Sequence, residues 1–393
     1  MDLSYYHCGT KIIMGNGSTK EISRVIKEYY PDKTRIMVVS DRGLVNLGLV
    51  STLLNTLDGA GYETILFDSV SQNPRDTECI QGARLYMEQS CEMVIGFGGG
   101  SSIDTAKAIA LLGPNGGTPL DYFHKKREYE NIAPIICIPT TAGTGSEVTR
   151  SSVITVASTH QKITLKHELL RPTLAILDPE LTYSLPAHIT AATGVDALVH
   201  AIEGYTCKVT NPISQAFGAR AMQLIPQYLL QAFEDGNNHE ARAKMLEASL
   251  LAGLCFGSAD VAAVHCLAEG LGSLYDTPHG VANAVFLPYV IAFNAQDNSN
   301  IHALISRLMK FANDYDSDLV AVEKLVTGIK KFTEDLGIPR LKELPNVKEE
   351  DFEKIVHLAY INNSTISNVR DVTEDDYRKI LSNAYYENDL VWS

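Results

Sequence analysis

Short apolar, β-branched runs alternate with segments of helical period along the first half of the chain. RIMVVSD (35–41), ETILFD (63–68), EMVIGFG (92–98) and PIICIPT (134–140) are each closed by turn residues and predict strands. Between them, STLLNTLDGAG and TECIQGARLYMEQS repeat apolar residues near every 3.6 positions and stop at Gly or Ser, which predicts helices. Strands alternating with helices predict a parallel α/β sheet. After LPAHITA (185–191) the pattern changes. VDALVHAIEGY, FGARAMQLIPQYLLQAF, EARAKMLEASLLAGL, HALISRLMKFAND and VEKLVTGIKKFTEDLG all carry the helical period, as does the closing DDYRKILSNAYYENDL (375–390), and strand-like runs vanish. The expectation is an α/β domain over 1–184 and an all-α domain over 185–393.

Composition narrows the class. At 393 residues the chain is longer than one hydrophobic core usually serves. With 45% hydrophobic and 20% charged residues it has the make-up of a soluble globular protein. No uninterrupted apolar run reaches the roughly 18 residues of a membrane span. The start, MDLSYYHCGTK, lacks the basic-then-apolar layout of a signal peptide. The seven cysteines are scattered, odd in number and never spaced CxxC, so reduced thiols and a cytoplasmic location are expected. A net charge of −14 without a basic cluster counts against nucleic acid as a partner.

VIGFGGGSSIDTAKAIA reads as strand, glycine turn, helix. Gly96, Gly98, Gly99 and Gly100 let a ligand approach the backbone, and Ser101, Ser102 and the first helical amides then face it, an arrangement suited to a pyrophosphate. The acid that usually follows such glycines by about 20 residues is missing. Asp121 lies in a loop-like LDYF, whereas Asp41 closes the earlier strand and is placed to bond ribose hydroxyls. A second loop, IPTTAGTGSEVT (138–149), offers Thr140, Thr141, Thr144 and Thr149 to a nicotinamide and its ribose.

A second chemistry lies in the helical half. Asp196 and His200 stand four apart on one helical face among apolar neighbours, so both need sheltered partners. His265, on an apolar helix, and His279, after a Thr-Pro, complete three imidazoles and one carboxylate, a set suited to divalent Fe, Zn or Mn. The other histidines (7, 124, 160, 167, 188, 239, 302 and 357) sit in polar stretches and are expected at the surface.

Four motifs in this order, GGGSSIDTAK, PTTAGTGSEVT, GVDALVHAIEGY and TPHGVANAVFLPYV, resemble the iron-containing (group III) alcohol dehydrogenase family, over nearly the whole chain. The resemblance implies a dehydroquinate-synthase-like fold: a Rossmann-like N-terminal domain, a helical C-terminal domain and an active site in the cleft between them. It implies that Asp196, His200, His265 and His279 ligate the metal, usually Fe(II), with Zn or others substituting. It also places Asp41, Asn73, Gly99, Gly100, Ser101, Thr140, Thr141, Thr149, Val153 and Lys162 where family members hold the dinucleotide, Asp41 favouring NAD(H) over NADP(H). A homodimer or larger homo-oligomer is implied as well. The chemistry these residues permit is hydride transfer between NAD(H) and a small primary alcohol or aldehyde, with a cation polarising the substrate oxygen.

Two departures from the family pattern bear on the substrate. Where many relatives carry a second histidine, four residues after the third ligand, this chain has Glu269, a candidate proton relay, extra ligand or acceptor for a substrate hydroxyl. Near the C-terminus NNSTISNVR (362–370) replaces the usual D-x-C-T-x-x-N-P-R, putting Ser364 into the substrate pocket with Ser151 and Phe256. Two hydroxyls and one aromatic ring favour a small, partly polar substrate. Arg150 would suit an anionic aldehyde such as sulfoacetaldehyde, but strand alternation turns it away from the face shared by 149, 151 and 153. A dehydroquinate-synthase-like lyase that uses NAD transiently shares this fold, and fold alone does not separate the two.

Overall fold

The computed structural model describes residues 3–388. The chain divides into two compact units: residues 8–141 with 145–184, and the described residues up to His7 with 142–144 and 185 onward. The described residues ahead of Cys8 and the short stretch 142–144 thus join the helical unit, although they lie inside the N-terminal span 1–184.

In the first unit four strands match the apolar runs: β2 (Arg35–Val39), β3 (Glu63–Phe67), β4 (Met93–Gly98) and β5 (Ile135–Pro139). Two more are β1 (Lys11–Met14) and β8 (Leu174–Leu177), and β6 (Ser151–Thr155) pairs with β7 (Lys162–Lys166) in an antiparallel hairpin. All but the hairpin form one six-stranded parallel sheet in the order β1-β8-β5-β4-β2-β3. The continuous apolar character of β4 and β5 follows from burial on both faces, as in parallel sheets generally. Alternation shows in the two cores: Ile36, Val38, Ile95 and Phe97 pack with Ile22 and Leu53 on one face, while Met37, Val39 and Val94 pack with Ile103 and Ile109 on the other. The strand order reverses between β2 and β4, so the sheet's switch point lies at their carboxyl ends.

Asp121 is not in a loop. It sits in a short helix, Pro119–Phe123, and its carboxylate accepts from the Thr118 amide and hydroxyl in a capping box.

The second unit is helical. Its central helix, Ala187–Thr206, is buried on every side from Gly194 to Thr206, as a helix apolar all round must be. It packs against helices Pro212–Glu234, His239–Phe256 and His279–Ala295, and the last of these packs on Ala263–Tyr275. At Gly280 the backbone comes so close that an added Cβ would lie 2.1 Å from the Ala192 carbonyl oxygen. The closing helix is Glu374–Tyr386; residues 389 and 390 of the expected 375–390 segment lie outside the described residues. Among the described residues no helix is long and apolar enough to cross a membrane. All seven cysteines are free thiols.

One histidine departs from the expectation of a surface position. His302 is buried, with its Nδ1 2.8 Å from the Asn298 carbonyl of its own helix. The one-turn backbone bond satisfies the ring locally, so a polar-looking stretch conceals a core residue.

Candidate active site

In the helical unit the sequence-selected ligands come together. Asp196 and His200 share one face of the central helix, and the Gly280 approach brings in His279, the first residue of its own helix. Asp196, His265 and His279 each present one ligand atom, all within 4.8 Å of one another. Asp196 Oδ1 lies 3.7 Å from His279 Nε2 and 4.0 Å from His265 Nε2. His200 stands beside this trio, its Nδ1 3.8 Å from Asp196 Oδ2 and its ring stacked on Phe256 at 4.2 Å. Three of the four side chains are nearly sealed from solvent, while His279 is 32% exposed and leaves one side of the cluster open.

Asn283, one helical turn beyond His279, was not among the residues selected from sequence. Its Nδ2 lies 2.7 Å from Asp196 Oδ1 and 3.2 Å from both His265 Nε2 and His279 Nε2. An amide nitrogen carries two hydrogens, and here three acceptors converge on it. Among the described residues His200 Nδ1 is also buried without a hydrogen-bond partner. Burial alone would raise the Asp196 carboxyl, but the three imidazoles and the Asn283 amide outweigh it and hold the carboxyl below its ordinary value. Burial pushes His200 down to about 4. A buried carboxylate and two imidazole nitrogens converging on a single amide, with more acceptors than donors, form a site that fits a divalent cation.

Behind His265 stands Glu203, also missed in the sequence. Its Oε2 is 2.6 Å from His265 Nδ1, and its two oxygens accept from the Ala262 and Val264 amides. Its place seven residues after Asp196 puts both on one stripe of the helix, a signal that was available in GVDALVHAIEGY. Glu269 is half-buried, and its Oε2 accepts from Asn362 Nδ2 at 2.6 Å. Ser364 donates to Asp260 Oδ1 at 3.4 Å, and Ser367 to Asp260 Oδ2 at 2.8 Å.

The α/β unit gathers a second set. Asp41, the Gly98–Ser102 turn and Thr140–Thr141 follow β2, β4 and β5, three neighbouring strands. Gly98 has φ +149, and a Cβ there would lie 2.6 Å from Ser102 Oγ, so the turn admits glycine alone without strain. Gly99 is the N-cap of helix Gly100–Asn115 and caps nothing with a side chain, leaving the first-turn amides available. Thr140 donates its amide to the Gly98 carbonyl at 3.0 Å, and Ser101 Oγ bonds the Gln72 carbonyl, next to buried Asn73. Asp41 Oδ1 caps its own short helix through the Leu44 amide at 3.1 Å.

Thr149, Ser151 and Val153 are held by two residues of that helix, the buried Lys107 and the largely buried Asp104. Lys107 Nζ donates to Ser146 Oγ at 2.7 Å, Thr149 Oγ1 at 3.2 Å and the Ser151 carbonyl at 2.7 Å. Asp104 accepts from Ser146 Oγ at 2.5 Å and the Val153 amide at 2.9 Å. Burial lowers the Lys107 ammonium and raises the Asp104 carboxyl, each opposed by the other's charge. Lys162 lies at the start of β7 opposite Thr155, and Thr144 belongs to the helical unit. Arg150 pairs with Glu168 at 2.5 Å, in keeping with the alternation that turns it away from its neighbours.

A family profile described as iron-containing alcohol dehydrogenase matches residues 9–179, and its C-terminal counterpart, Fe-containing alcohol dehydrogenase family, C-terminal, matches residues 190–385. The chain is 36% identical to the NAD-dependent methanol dehydrogenase of Bacillus methanolicus, over 91% of this chain and 93% of that one. It is 39% identical to the 1,3-propanediol dehydrogenase of Klebsiella pneumoniae, over 86% of this chain and 87% of that one. The crystal structure of sulfoacetaldehyde reductase from Bifidobacterium kashiwanohense in complex with NAD+ superposes with a TM-score of 0.89 at 31% identity, over 99% and 100% of the two chains.

Proposed function

The chain belongs to the iron-containing alcohol dehydrogenase family, an NAD(H)- and divalent-metal-dependent group of oxidoreductases acting on CH–OH donors, and on that premise we propose that it interconverts a small, neutral, polar primary alcohol and its aldehyde. The observation that carries the proposal is the convergence of Asp196, His265 and His279 on the single amide of Asn283.

In this reading Asp196, His200, His265 and His279 hold the metal, with the 32% exposed edge of His279 marking the side from which substrate enters. When bound, the metal supplies Lewis acidity toward the substrate oxygen and the nicotinamide gives or takes the hydride. The chain's own residues position and shield. The open amides after Gly99, with Gly98, Gly100, Ser101 and Ser102, take the pyrophosphate, and Asn73 stands beside them. Asp41, with one oxygen committed to Leu44, offers the other to a ribose hydroxyl. Thr140, Thr141, Thr149, Val153 and Lys162 hold the nicotinamide side. Phe256, stacked on His200, lines the substrate pocket with Ser364 in this reading.

A neutral substrate is favoured over an anionic one by the charges felt at His265, which are the carboxylates of Glu203, Asp196 and Glu269. Arg150, the cation that would suit a sulfonate, is engaged by Glu168. Glu269 is the acceptor we assign to a substrate hydroxyl or to the departing proton. The naming of the relatives as dehydrogenases and reductases favours net hydride transfer over a lyase that regenerates its NAD. We assign the enzyme to the cytoplasm, in line with its seven free thiols, and to a homodimer or larger homo-oligomer, following the resemblance.

The test is a metal-reconstituted NADH-oxidation screen over short aldehydes, plain, hydroxylated, carboxylated and sulfonated. The proposal expects turnover on plain and hydroxylated members; preference for the sulfonated or carboxylated ones would overturn the substrate assignment.

A further inference from the structure

We propose that Glu203 is a positioning residue for the metal site: it fixes the tautomer and the aim of His265. The inference rests on the four-residue metal site proposed above and deepens it.

A ring nitrogen is a ligand only where it carries no hydrogen, so which nitrogen of His265 is free decides whether the residue serves. Glu203 Oε2 sits 2.6 Å from Nδ1. A carboxylate there accepts and offers no hydrogen, so the ring's hydrogen stays on Nδ1 and the lone pair on Nε2. Nε2 is the nitrogen that faces the cluster, 4.0 Å from Asp196 Oδ1. The Asn283 amide, 3.2 Å from Nε2, donates and demands the same tautomer from the other side.

Glu203 is itself unable to swing away. Its Oε2 accepts from the Ala262 amide at 2.8 Å and its Oε1 from the Val264 amide at 2.7 Å. These amides open the helix Ala263–Tyr275, where a buried carboxylate also meets the positive end of the helix dipole. The helix that carries His265 is therefore capped by the same side chain that orients its imidazole. Any loss of the carboxylate is transmitted to the ring. Carboxylates behind metal-binding histidines raise ligand basicity and hold the ring in place.

The test compares chelator-stripped wild type with Glu203→Gln and Glu203→Asp. Co(II) and Zn(II) affinities are read by competition with a chromophoric chelator, NADH affinity by fluorescence, and metal-free Tm by calorimetry. Gln keeps the volume but turns an NH2 toward either an amide or Nδ1, and in the second case the ring's hydrogen moves to Nε2. The expected result is a fall in metal affinity of about 10- to 100-fold in Glu203→Gln, with NADH affinity unchanged and a partial return in Glu203→Asp. Metal affinity within about twofold of wild type in folded Glu203→Gln would overturn the proposal. Should the variants fail to fold, Co(II)-loaded wild-type crystals decide: coordination through His265 Nε2 with Nδ1 on Glu203 supports it, and coordination through Nδ1 overturns it. A wild type that binds no metal would instead remove the four-residue site itself, and this inference with it.

Discussion

Asn283 donates its side-chain amide to Asp196 Oδ1 across 2.7 Å, both residues buried in the helical unit. The amide occupies the point to which the imidazoles of His265 and His279 also turn their Nε2 atoms. It is the donor that makes a metal-free cluster tolerable. Asn283→Leu removes that donor and leaves Asp196 dependent on the imidazoles, at a cost of about 1–3 kcal/mol in the stripped protein. A bound cation replaces the lost hydrogens, so the metal-induced rise in Tm should be larger in the variant than in wild type. Equal deficits with and without metal would contradict this.

Lys107 braces the loop expected to hold the nicotinamide, tying Ser146, Thr149 and Ser151 to a helix that is otherwise apolar around it. Lys107→Met leaves Asp104 without its cation, and loss of one partner from a buried pair costs about 3–5 kcal/mol. The double variant Asp104→Asn, Lys107→Met should regain part of that stability by removing the stranded charge. Coenzyme binding should stay weakened in both, measured by NADH fluorescence titration. Wild-type NADH affinity in the double variant would show that the brace does not shape the loop.

Glu147 sits in the same loop, buried, with Oε1 lacking a hydrogen-bond partner among the described residues. Burial raises its carboxyl from the ordinary 4.5 to about 7, with Lys107 opposing. A raised carboxyl holds its proton longer in the folded than in the unfolded chain. Its contribution is therefore intact below the unfolded value and is lost as pH climbs through about 7. The difference amounts to roughly 3 kcal/mol when complete. Glu147→Gln should gain stability over wild type at pH 8, and the gain should shrink toward pH 5, as read by Tm across a pH series. A gain independent of pH would mean that Glu147 does not titrate in this window.

Glu269 follows His265 by one helical turn and takes the Asn362 amide on one oxygen. If the carboxylate accepts a substrate hydroxyl or the departing proton, Glu269→Gln lowers kcat by about 100-fold and alters the pH profile. Asn362→Leu should do less. Unchanged kcat and profile in Glu269→Gln would reduce the residue to an anchor for the 362–368 segment.

The strands most legible in sequence are the central ones, β2, β4 and β5, buried almost throughout, while β3 at the opposite edge was legible through its TILF run alone. β1, at the sheet edge and largely exposed, carries no such signature, and KIIM is too short for periodicity to speak. The residues proposed to hold the metal were legible because imidazoles are rare on apolar helices. Asn283 and Lys107 were not, because each is a common helix-surface residue type whose burial depends on which helices pack around it, and Glu203 showed only in its seven-residue spacing from Asp196. Lys107 did leave a trace: IDTAKAIALL is apolar on all sides of it, and Asp104 three residues earlier supplies the partner such a lysine requires. His302 left none, since its ring is satisfied within its own turn.

The most direct measurement is an anomalous difference map from crystals of the protein loaded with Fe(II) or Zn(II) together with NAD+. The account predicts one strong peak at ligand distance, about 2.0–2.2 Å, from Asp196, His200, His265 and His279. A map with no peak among these four side chains, or with the metal bound elsewhere, would contradict it.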